Sequence, residues 1–157
     1  MNEQKGSSTS SIEWTRVFGN RRGFTANPIR GCVHDCKWDM PDGTTAECYA
    51  MKVVEAFNPW KHPFEQLSFA PKELEAVTRL QEPSGIFVGS MADIFGKGVK
   101  EEWLNAVLDN IAVNPRHIFF TLTKNAPRMK KYSYSPNHWL GVSSPPTSMF
   151  GNVLTPK

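Results

Sequence analysis

The chain is 157 residues long, which suits one domain. With 39% hydrophobic and 21% charged residues it is too apolar for an intrinsically disordered chain, and it contains no run of about 20 apolar residues that would span a bilayer. Eighteen Lys and Arg against fifteen Asp and Glu leave a formal charge of +3, which neither demands nor excludes nucleic acid as a partner.

Residues 1–11, MNEQKGSSTSS, are polar and small and are expected to form a disordered tail with no signal-peptide core. The expectation is a soluble, cytoplasmic protein without membrane contact. The folded part begins near Ile12, and Asn27-Pro28 disfavours helix, so a short strand is expected at 24–29. In ECYAMKVVEAF, residues 47–57, Tyr49, Val53 and Phe57 recur at helical spacing, and Asn58-Pro59 ends the pattern. A second helix is expected at 71–80, opened by Pro71 and carrying Leu74, Val77 and Leu80 on one side. Glu82-Pro83-Ser84-Gly85 reads as a turn, followed by a buried strand at 86–90.

Helical period returns at 100–113 through Trp103, Leu104, Val107, Leu108 and Ile111, and Asn114-Pro115 closes it. A strand at 117–123, a helix at 125–132 and a strand at 138–143 follow. Alternating strands and helices predict an α/β fold, with βαβ units around a parallel sheet. Residues 144–157 read as an irregular C-terminal tail.

The three cysteines lie in one loop: Cys32, Cys36 three residues later, and Cys48 after eleven more, at the start of a helix. Helix N-termini favour anions, so this position lowers the cost of a thiolate, the form that ligates metal. Three thiolates on an iron–sulfur cluster leave one coordination position open to a ligand. The rival reading is a closed structural zinc site with His34 as fourth ligand, made of Cys32, His34, Cys36 and Cys48. A third is that no metal binds.

The run NPIRGC, three residues, Cys36, and then CYA opening a helix resembles the cysteine loop of radical S-adenosylmethionine enzymes. More closely, IEWT, NPIRGC, CYA, FNPW, IFVGSMADIF, TLTKNAPRM and NHWLGVS look like a phage-associated, radical-SAM-like protein family of unknown function, from about Ile12 to Ser143. The resemblance implies a partial (βα) barrel over residues 12–143 and a 4Fe-4S cluster on Cys32, Cys36 and Cys48. S-adenosylmethionine would chelate the fourth iron, and an electron donor would drive its cleavage to a 5′-deoxyadenosyl radical.

It also implies that the loop after the second strand contacts the cofactor, which makes Ser90 and Asp93 the candidates by position. A turn or helix cap is the plainer role for both. A looser similarity to spore photoproduct lyase makes nucleic acid a candidate substrate, with Arg21, Arg22, Lys124, Arg128, Lys130 and Lys131 available for phosphates, although scattered charges of this kind serve equally as solvated surface.

The chain departs from the radical SAM pattern in two ways. The usual two residues between the second and third cysteines are replaced by eleven, KWDMPDGTTAE, expected to protrude from the surface as an inserted loop at 37–47. Closing the longer loop costs only about 1.5 kcal/mol more. The barrel is also expected to be truncated after about four strands, leaving an open sheet edge at which copies would associate.

Overall fold

The computed structural model describes residues 1–5, 12–16, 21–39 and 42–143. Five strands form the main sheet: β1 (Asn2–Gln4), β2 (Arg22–Ala26), β7 (Ser84–Val88), β8 (Ile118–Thr123) and β9 (His138–Val142), in that spatial order. The last four are parallel, with Phe24, Ile86, Phe119 and His138 in one transverse row. The expected α/β class, with a mostly parallel sheet, is therefore present. The sheet is open: β1 and β9 are its edges and no barrel closes among the described residues.

Helices α2 (Pro71–Arg79) and α3 (Glu101–Ala112) cover one face. There Phe24, Ile86, Val88 and Phe119 pack with Val77, Leu104, Val107 and Ile111, all at most 4% exposed. This burial is the principal apolar driving force of the fold. The helical period of α3 sets Leu104, Val107 and Ile111 on one side, so the amphipathic pattern in the sequence and the packed face coincide.

The opposite face receives a 3-10 helix (Glu13–Arg16), whose Trp14 ring lies 4.8 Å from Phe87 and 5.2 Å from Phe120. Gly23 and Gly85 pair directly across β2 and β7 and form the slot for Thr15. A Cβ on Gly85 would stand 1.8 Å from the Thr15 carbonyl oxygen, and one on Gly23 2.2 Å from Thr15 Oγ1. Ser84 and Gly85 therefore belong to a buried strand and not to the expected turn: they pair with Arg22 and Gly23 of β2, and Gly85 carries no side chain to collide with Thr15.

Two other boundaries differ from the sequence reading. Residues 2–4, expected in a disordered tail, pair antiparallel with β2. An edge strand needs only backbone partners on one side, so its polar composition is no obstacle. Residues 6–11 and the C-terminal stretch 144–157 lie outside the described residues. The strand expected at 24–29 divides at Asn27-Pro28 into β2 and β3 (Ile29–Arg30), and β3 pairs with β6 (Ser68–Phe69) apart from the main sheet.

The inserted segment forms a two-stranded hairpin, β4 (Lys37–Asp39) against β5 (Thr45–Glu47). Asp42 accepts from Thr44 N and Oγ1 near its tip. Helix α1 (Tyr49–Phe57) follows directly, and α4 (Ala126–Met129), capped by Asn125, is shorter than the expected 125–132.

Candidate functional site: a cysteine-lined cleft

Gly31 begins the cysteine loop with φ +87°, where a Cβ would lie 2.4 Å from the Gln66 carbonyl oxygen, so glycine is required at this approach. Cys32 N–H donates to Phe64 O at 2.9 Å. The hairpin then solves the spacing problem. Lys37 pairs with Glu47 at its base, so the residues just outside that pair meet: Cys48 N–H donates to Cys36 O at 3.1 Å. Eleven intervening residues thus separate two cysteines that are neighbours in space. Cys48 is the N-cap of α1, one residue before the first helical turn in which the sequence places it.

All three cysteines line two adjoining clefts of about 190 and 350 Å³. The first is bordered by Gly89 to Asp93 after β7, by Thr123 and Lys124 at the end of β8, and by Ser143 after β9. It thus opens at the carboxyl ends of parallel strands, the usual ligand position in such sheets. No described residue of the hairpin lines either cleft.

Ser90 and Asp93, the two positional candidates, both border the first cleft, and their oxygens are engaged within the protein. Ser90 Oγ accepts from Asn27 Nδ2 at 3.1 Å, and its carbonyl accepts from the Tyr49 hydroxyl. Asp93, 8% exposed, accepts from Phe95 N, Thr123 Oγ1, Lys124 N and His34 Nε2, all at 2.8–3.0 Å. Sequence order separates His34 from Asp93 by 59 positions, and no local pattern announces their meeting. Asn27 was equally hidden: its side chain also accepts from Met91 N and so ties the end of β2 to the loop after β7.

Burial pushes the Cys32 thiol up from its usual range, while backbone N–H groups of His34 and Asp93, hydrogen-bonded to its sulfur, pull it back. Burial also raises Cys36, opposed by the positive charge of Lys124. These are sites where a thiolate needs a cation to persist. As placed, no three His, Cys, Asp or Glu side chains among the described residues form a group that could hold a metal ion.

The basic residues are divided between separate places, with Arg128 and Lys131 together on a cavity apart from the cysteine cleft. Arg22 lies at the amino end of β2 and pairs with Glu3 at 2.7 Å, whereas Arg128 donates to Gly96 O, Val99 O and Glu101. Of the six, Lys124 alone borders the cleft. Among the described residues no helix is long and apolar enough to cross a membrane.

Fold and site together define an α/β protein with a cysteine-lined cleft at the carboxyl edge of a mostly parallel open sheet. The chain belongs to the DUF5131 family of proteins of unknown function, whose model matches residues 9–150. No curated protein and no solved structure matches it.

Proposed function

We propose that this protein is a radical-SAM-like iron–sulfur protein, with Cys32, Cys36 and Cys48 as the ligands of a 4Fe-4S cluster and the open sheet as its partial barrel. The observation that carries the reading is the pairing of Cys36 with Cys48 across the hairpin base, on a cleft wall shared with Cys32. The donor chemistry suits such a group: three thiols, N–H groups directed at the Cys32 sulfur, and a lysine charge near Cys36. Loading would draw the three sulfurs together around the cluster.

Once reduced by an external electron donor, such a cluster would supply the electron for reductive cleavage of bound S-adenosylmethionine. The chain's own residues bind and orient. Phe87 and Met91, with the more exposed Tyr49 and Leu122, give the first cleft its apolar lining, and Ser90, held by Asn27, would meet the cofactor's amino end through the remaining hydrogen-bonding capacity of its hydroxyl. The Asp93 carboxylate is taken up by its protein donors, so its part is to hold other residues in place. The modified substrate would enter over the strand ends, with Lys124 as its one nearby cation of the six basic candidates.

The test is anaerobic reconstitution with iron and sulfide, followed by metal analysis of the wild type and of Cys32→Ala, Cys36→Ala and Cys48→Ala. About four irons in the wild type, and loss of the visible charge-transfer absorption in every variant, are expected. Full iron occupancy in Cys48→Ala, or a single colourless zinc in the wild type, would overturn the reading.

A further inference from the structure

The segment carrying Cys32 and Cys36 is fastened at both ends by backbone, through Cys32 N–H to Phe64 O and Cys48 N–H to Cys36 O. Between those anchors Asp35 stands at φ +45°, a left-handed conformation that an aspartate adopts only at some energetic cost. A turn of this kind persists when its surroundings hold it.

The restraint comes from His34. Its side chain is 21% exposed, and its Nε2–H donates to Asp93 Oδ2 at 2.9 Å, the direction an acceptor-only carboxylate requires. Asp93 is itself fixed from several directions. Thr123 Oγ1 reaches both of its oxygens at 2.8 and 2.9 Å, Lys124 N–H donates to Oδ2 and Phe95 N–H to Oδ1. Thr123 in turn accepts from Asn125 N–H at 2.8 Å. The backbone N–H of Asp93 also reaches the Cys32 sulfur.

We propose that Asp93 is a positioning residue: through His34 it locks the middle of the cysteine loop onto the carboxyl ends of β7 and β8, so that Cys32 and Cys36 face the cleft together. The proposal rests on the iron–sulfur reading only for what the thiols are there to hold. The lock itself belongs to the metal-free chain.

Cys32, Cys36 and Cys48 are the chain's three cysteines, so their reactivities can be followed separately by maleimide labelling of the metal-free full chain and peptide mass spectrometry. In His34→Ala, which leaves the other donors to Asp93 in place, labelling of Cys32 and Cys36 should accelerate about tenfold or more, as expected for losing a charge-assisted hydrogen bond. Cys48, held on α1, should keep its rate. His34→Gln, whose amide nitrogen can occupy the position of Nε2, should restore slow labelling, which a purely structural gap at this position would not do. Unchanged rates at Cys32 and Cys36, equal acceleration at all three cysteines, or failure of His34→Gln to rescue would each overturn the proposal. A chain that takes up no iron would overturn the cluster reading and leave this result intact, since the labelling is read without metal.

Discussion

Acidification should destabilise the fold through His138, and His138→Gln should remove most of that effect. The ring opens β9, is 8% exposed, contacts Tyr134 at 5.3 Å between ring centres and shares a hydrogen bond with Thr121 Oγ1 at 2.9 Å. Burial lowers its pKa from 6.5 to about 4. Above pH 6.5 the folded and unfolded chains both carry neutral His138, and nothing is lost. As the pH falls from 6.5 towards 4, the unfolded chain binds a proton that the folded one refuses. At about 1.4 kcal/mol per unit, the loss approaches ~3 kcal/mol below pH 4 and is about 2 kcal/mol at pH 5.

That is a large share of the ~5–15 kcal/mol typical of a domain. His117, also buried and lowered chiefly by desolvation, pushes the same way but is common to both proteins and cancels in the comparison. Urea unfolding followed by tryptophan fluorescence at pH 7.5, 6 and 5 gives the difference between wild type and variant at each pH. The difference should shift by about 2 kcal/mol between pH 7.5 and pH 5, in favour of the variant. A shift below about 0.5 kcal/mol would show that the folded protein admits the proton without penalty, and the reasoning would fail.

Gly85→Ala should cost at least ~2 kcal/mol in the same unfolding assay, because its Cβ would meet backbone, while Gly43→Ala, with open space around it and φ +80°, should cost only about 1 kcal/mol of conformational strain. Equal losses for the two would refute the slot for the 3-10 helix. Replacing residues 38–46 by Asn-Gly, which keeps Lys37 opposite Glu47 over a two-residue turn, should leave iron uptake within about twofold of wild type, since the Cys36 and Cys48 backbones would still meet. A folded variant that takes up no iron would show that the hairpin shapes the site beyond joining its ends.

The sequence by itself determined α1, α2 and α3 and the middle of each parallel strand, because each is written as a run or period of apolar residues over contiguous positions. Val77 in α2, and Leu104, Val107 and Ile111 in α3, are the buried positions that the pattern selects. It also marked the cysteine loop as the seat of the chemistry and residues 37–47 as an inserted loop. What it did not carry was pairing across distance. That Lys37 stands opposite Glu47, bringing Cys36 to Cys48, is a matter of register, which turn residues suggest without fixing. That residues 2–4 add a strand to the sheet follows from a free backbone edge on β2, to which composition is indifferent.

The same holds for the site. Ser90 and Asp93 were found by their place after a strand, but the partners of Asp93 come from the cysteine loop, the loop after β7 and the end of β8. Only the folded sheet brings those three segments to one carboxylate. Local periodicity encodes which face of an element is buried. The meeting of His34 with Asp93 is decided by the order of strands in the sheet and the closure of the hairpin, and these exist only in three dimensions.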